Sequence, residues 1–151
     1  MDTREDEAAG AVPEAAPVAA VFNGDDAVVA MLCAALEREG YRPVAGKLAD
    51  VQSGDLDFVA FLAEHDPDVL VVDIPRPYER HLNVVRLLRA ADRRPGRAWV
   101  ITTIQKDALE HLMAPLKWGD PIIGQPFGPE DVLRAVWTVR EAAGRLARPG
   151  D

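Results

Sequence analysis

Short apolar runs alternate with helix-spaced apolar positions along most of the chain. Val18-Ala19-Ala20-Val21-Phe22 is a continuous apolar run and predicts a buried strand. Asn23-Gly24-Asp25-Asp26 breaks it and offers helix N-cap residues. Val28, Val29, Leu32, Ala35 and Leu36 then recur at helical spacing, and Gly40 ends that helix. A short second strand is predicted over 42–46, a polar connection over 48–55 and a helix over about 56–64. Asp66-Pro67-Asp68 is a turn, and Val69-Leu70-Val71-Val72-Asp73 is the strongest strand signal. Such a β-branched run suits a strand covered on both faces. Pro75 and Pro77 force a loop, and Val84, Val85, Leu87 and Leu88 mark a third helix. Ala98–Thr103 predicts a fourth strand, 107–116 a helix and 121–123 a short fifth strand. Pro129 opens a last helix carrying Val132, Leu133, Val136, Val139, Ala143 and Leu146 on one side.

Five βα units in succession imply an α/β fold: a parallel sheet with helices on both faces and right-handed crossovers. Five flanking helices are expected. Sites in such sheets lie beyond the C-terminal ends of the strands. That directs attention to 23–26, 73–77, 102–105 and 124–127.

Composition narrows the function classes. The chain has 151 residues, 48% of them hydrophobic and 28% charged, which suits one ordinary domain with a core. Residues 1–17 are rich in Ala, Pro and Glu without apolar periodicity and are expected to form a disordered acidic tail. Residues 148–151 are expected to fray, leaving 18–147 as the domain. The formal net charge is −8, and the tail carries half of it. An acidic surface repels phosphate backbones and argues against direct nucleic-acid binding. The single cysteine, Cys33, allows no intrachain disulfide, and no apolar stretch is long enough to span a membrane. With no basic-then-apolar leader at the N-terminus, a cytoplasmic location is expected.

A carboxylate placed directly after four buried apolar residues is costly unless it is paired or at an open strand end. Asp73 is therefore a nucleophile or ligand candidate, with loop capping as the plainer alternative. At this point three segments together resemble the receiver domain of bacterial response regulators over about 18–147. Asp66-Pro67-Asp68-Val69-Leu70-Val71-Val72-Asp73 resembles the strand ending in the phosphoacceptor, with Pro77 four residues on. Gln125-Pro126-Phe127-Gly128-Pro129 resembles the family's Lys-Pro-Phe segment and following helix, and Leu36-Glu37-Arg38-Glu39-Gly40-Tyr41 the end of its first helix. The resemblance implies a flavodoxin-like, doubly wound five-stranded sheet in the order 2-1-3-4-5. It also implies a phosphoacceptor Asp, a Mg²⁺ ion held with an acidic pair, and a Lys and a Ser/Thr hydroxyl on the phosphoryl oxygens, acting as electrostatic clamps.

The chain departs from that pattern at several positions. Asn23 and Gly24 stand where the family has its acidic pair, so Mg²⁺ binding is expected to be weak or absent. Asp25 or Asp26 would restore a ligand if the loop were shifted; helix capping is the favoured role for both. Gln125 occupies the Lys position and removes a charge-assisted contact. Thr102 or Thr103 fills the hydroxyl position, and sequence does not choose between them. Ile122 stands where the family has its switch aromatic. His65, His81 and His111 have no metal spacing. Cys33 reads as a packed residue, and Trp118 and Trp137 as packing residues or interface anchors. Arg76-Pro77-Tyr78-Glu79 reads as a loop beside Asp73 that contacts a partner or covers the metal position.

The favoured reading is a stand-alone atypical receiver that signals by binding a protein, with phosphorylation at Asp73 weak or absent. With no output domain following 147, output would come through binding a histidine kinase or a downstream regulator, through the faces of the fourth and fifth units. A homodimer stays open. The alternative is a working phosphoacceptor using Asp73, Mg²⁺, Asp25 or Asp26, and Thr102 or Thr103. A small-molecule enzyme or ligand-binding domain is the weakest reading, because no glycine-rich phosphate loop occurs. The tail reading has a direct check. A chain starting at Val18 should keep its thermal midpoint; a fall of more than roughly 5 °C would mean that the tail docks on the domain.

Overall fold

In the computed structural model, which describes residues 16–147, the apolar runs become β1 (Val18–Phe22), β2 (Arg42–Gly46), β3 (Val69–Asp73), β4 (Ala98–Thr103) and β5 (Ile122–Gly124). They form one all-parallel sheet in the order 2-1-3-4-5, the flavodoxin-like arrangement expected. Most of the expected tail and all of 148–151 lie outside the described residues. Connecting the strands are α1 (Asp26–Arg38), α2 (Leu48–Ser53), α3 (Phe58–His65), α4 (Tyr78–Ala91), α5 (Lys106–Met113) with a 3₁₀ turn at Ala114–Leu116, and α6 (Pro129–Ala147).

Six α-helices are described rather than five. The segment 48–55, expected as a polar connection, contains α2. Its apolar stripe is two residues, Leu48 buried and Val51 packed on the core. Lys47 offers it no side-chain cap, so the start signal is weak. Gly54 at φ 87° ends it in the left-handed conformation that glycine adopts without strain. Tyr78 and Glu79, expected in a loop, form the first turn of α4, and Tyr78 is buried.

The period of two along each strand divides the core. Ala19, Val21, Val69, Val71, Ala98 and Val100 face one side, where Leu32 and Leu36 of α1 and Val132 and Val136 of α6 cover them. Ala20, Phe22, Leu70, Val72, Trp99 and Ile101 face the other, covered by α2 to α5. Trp118 packs on this second layer. Arg89 lies over its ring at 4.6 Å and over Trp99 at 5.1 Å, and grips Asp120 through both nitrogens. Trp137 is 65% exposed.

At the N-terminal ends of the strands, Asp68 ties two elements together. Its Oδ2 accepts the Val18 amide at 2.9 Å and its Oδ1 accepts Arg94 at 2.8 Å. Burial pushes this carboxyl up. The Arg94 and Val18 hydrogen bonds, with the charges of Arg94 and Arg140, outweigh burial and hold it below its ordinary value. A depressed folded-state value stabilises the protein above the unfolded carboxylate value, about 3.9, and that contribution is lost as pH falls through the folded value. Asp68→Asn should therefore cost about 1–3 kcal/mol at pH 7, the scale of hydrogen bonds to a charged group. Urea unfolding should show the gap to the wild type narrowing in acid. An equal gap at pH 7 and well below the ordinary carboxylate range would contradict this account.

Candidate functional site

The β3–β4 register pairs Asp73 with Thr102. Paired residues share a face of the sheet, so both side chains lie on the α1/α6 side at the open strand ends. The Thr102 hydroxyl donates to Asp73 Oδ1 at 2.8 Å. Thr103 points the other way and donates to the carbonyl of Ile74 at 2.9 Å. The choice that sequence left open thus falls on Thr102 as the hydroxyl beside Asp73. Burial pushes the Asp73 carboxyl above its ordinary value, and the Thr102 hydrogen bond opposes this only in part.

The loop after β1 is organised by its own polar side chains. Asn23 is buried, and its Oδ1 accepts the Asp25 amide at 2.8 Å. Asp25 Oδ1 accepts the amides of Ala27 and Val28, which makes Asp25 the N-cap of α1. Asp26 is exposed at the first helical position and pairs with Lys47 at 3.1 Å. Asn23, Gly24, Asp25, Asp73 and Gln125 line one cleft of about 570 Å³, and Asp26 is not among its lining residues.

This donor set is poor for the Mg²⁺ that the receiver resemblance implies. Among the described residues no three His, Cys, Asp or Glu side chains converge on one point. Of the two carboxylates that line the cleft, Asp73 is paired with Thr102 and Asp25 is turned to helix amides through Oδ1, while Asn23 is turned to its own loop. Mg²⁺ sheds water reluctantly and is usually held through one or two carboxylates with near-octahedral geometry.

Gln125 is exposed and lines the cleft from the end of β5, where its backbone N–H donates to the Thr103 carbonyl at 2.9 Å. Among the polar residues that line the cleft, Lys47, Gln52 and His81 were missed by sequence reasoning. Lys47 follows β2, and the strand-end rule, applied to the first, third, fourth and fifth strands, points to it equally well. His81 enters from the first turn of α4, with Nδ1 3.1 Å from the Pro77 carbonyl. No sequence signal separates it from a surface histidine.

The fold is that of response-regulator receiver domains. The CheY-like receiver domain from Methanospirillum hungatei matches with a TM-score of 0.69 and 16% identity, over 88% of this chain and 100% of that one. A response regulator from Thermotoga maritima matches at 0.62 and 20% identity, over 83% and 98%. The pilus assembly protein CpaE from Caulobacter crescentus matches at 0.62 and 18% identity, over 82% and 95%. No protein-family model and no curated protein matches the chain.

A raised carboxyl value has a definite sign. Neutral Asp73 is tolerated, and the stability it permits is lost as pH rises through its folded-state value. Asp73→Asn keeps the shape and removes the charge. It should raise stability at pH 7 by about 0.5–2 kcal/mol, the usual scale of a stabilising substitution. The gain should fade as pH falls and vanish below the ordinary carboxylate range. Denaturant midpoints across pH check this, and a loss of stability at pH 7 would contradict it.

Proposed function

We propose that this chain is an atypical receiver that signals by binding another protein, with phosphorylation at Asp73 weak or absent. One observation carries the reading: Asp73 sits with Thr102 at the strand ends of a receiver fold, while the loop after β1 gives it no carboxylate partner. Asn23 and Gly24 take the acidic-pair positions and Gln125 the Lys position, so metal and cation clamping of a phosphoryl group is weakened. Mg²⁺ then binds weakly or not at all. The protein works by association rather than catalysis, in the cytoplasm, with a histidine kinase or a downstream regulator as partner and without direct contact to nucleic acid. A homodimer fits the same reading. A working phosphoacceptor is the second reading, favoured by the intact Asp73–Thr102 contact and by Asp25 lining the same cleft.

Intact-mass measurement after incubation with acetyl phosphate and Mg²⁺ separates the two. Little or no adduct is expected on the wild type, and a stoichiometric adduct at Asp73 would establish the second reading. The double substitution Asn23→Asp and Gly24→Asp should strengthen Mg²⁺ binding by at least about tenfold, the scale on which metal-site partners act. A side chain at position 24 meets open space, so the substitution has room. Adding Gln125→Lys should then promote adduct formation. Equal Mg²⁺ affinity of wild type and double variant in titration calorimetry would mean that Asp25 or Asp26 already serves as ligand.

A further inference from the structure

Behind the site, on the opposite face of β4, lies a second polar cluster that the reading above does not use. Thr103 is fully buried and Tyr78 is 8% exposed. The two hydroxyls are 3.0 Å apart. The backbone N–H of Gln105 donates to the Tyr78 hydroxyl at 2.8 Å, and Thr103 donates to the Ile74 carbonyl at 2.9 Å. Hydrogen inventory fixes the direction of the remaining bond. A carbonyl only accepts, so the single Thr103 proton is committed to Ile74. Tyr78 must then donate to Thr103. The chain runs one way: Gln105 amide to Tyr78, Tyr78 to Thr103, Thr103 to Ile74. Each hydroxyl gives one bond and takes one, the arrangement in which successive bonds reinforce each other.

We propose that Tyr78 relays the state of Asp73 to the start of α5 through this chain. At one end the chain is tied to the site on both faces of the sheet. Ile74 directly follows Asp73, and its amide donates to the Thr102 carbonyl at 2.9 Å. Thr102 donates to Asp73. Thr102 and Thr103 share a peptide bond, so a change at Asp73 that moves one moves the other. At its far end the chain holds Gln105, the N-cap residue of α5. Gln105 gives that helix no side-chain cap, which leaves the Tyr78 hydroxyl as the anchor of its first turn. Ile104, between the two threonines and this anchor, is 44% exposed. Tyr78 thus acts as a positioning residue that links a buried carboxylate to a surface loop and helix. Ile122 on β5 carries no hydroxyl and takes no part in the chain.

This proposal rests on Asp73 being the responsive group of the site, but not on its accepting a phosphoryl group. Amide spectra of the full chain test it by comparing Asp73→Asn with Asp73 in four backgrounds: otherwise wild type, Tyr78→Phe, Thr103→Val and Thr103→Ser. In the otherwise wild-type background, Asp73→Asn should shift the amides of Gln105 and α5. Tyr78→Phe and Thr103→Val should cut those shifts severalfold, and Thr103→Ser, which keeps the hydroxyl, should preserve them. Exchange of the Gln105 amide should also rise about tenfold in Tyr78→Phe, as for the loss of one hydrogen bond. A purely structural Tyr78 would change that exchange rate but not the coupling. Equal α5 shifts with and without the Tyr78 hydroxyl would overturn the proposal, as would an α5 that ignores Asp73→Asn altogether. Should Tyr78→Phe fail to fold, the contrast between Thr103→Val and Thr103→Ser decides alone. Acetyl phosphate labelling is read separately: a chain that takes no phosphoryl group but shows the coupling removes only the phosphoacceptor reading, and a labelled chain without coupling removes only the relay.

Discussion

Pairing Asp73 with Thr102 across the β3–β4 ladder decides which side chains meet at the open end of the sheet. A shift of one residue would turn every side chain of β4 to the other face. Thr103 would then face Asp73, and Trp99 and Ile101 would leave the layer beneath α3, α4 and α5. That layer holds Phe22, Phe58 and Phe61 in edge-on ring contacts, with Trp99 6.5 Å from Phe58. The aromatic packing therefore holds the register, and the register places the hydroxyl. The same alternation sends Thr103 to Tyr78, so the front and back of the strand end carry separate polar systems built from adjacent residues.

The fold was legible because its strands are covered on both faces. In β3 the run Val69–Val72 is unbroken and apolar before Asp73, and five residues are too few for an amphipathic helix. The helices were legible where their apolar stripe is long, as in α1 and α6. Reading failed at α2, whose stripe is two residues, and at the entry to α4, where Pro77 signals a loop but also serves as N-cap for a helix starting at Tyr78. The site was partly legible for a related reason. Asp73 is conspicuous as a charge after four buried apolar residues. The choice between Thr102 and Thr103 is a question of register between strands distant in sequence, and no local pattern contains it. Lys47 and His81 reach the cleft from elements that carry no special spacing.

Polar side chains around the cleft are largely committed to holding backbone. Asn23 closes its own loop, Asp25 caps α1, and Asp26 reaches Lys47 across the β1 and β2 ends. The first two commitments satisfy backbone donors that would otherwise be bare at a turn and a helix start. The same oxygens are then less free for a cation. Asp25 holds the amides of Ala27 and Val28 through Oδ1, so a metal taken by that oxygen would expose them. Helix capping and metal binding would draw on the same side chain.

Asp73 is left as the group whose charge the fold resists. It has one neutral hydroxyl as partner, and burial disfavours its ionised form. Pairing it with a cation would relieve that cost, and the cleft offers two routes. Lys47 already lines it but is drawn toward Asp26. A cationic side chain from outside would meet Asp73 without having to displace a cap. Relief by an incoming group would act on Asp73 itself, and so on Thr102 and the peptide it shares with Thr103. In the proposed relay, occupation of the cleft and the anchoring of α5 would both depend on where the end of β4 lies.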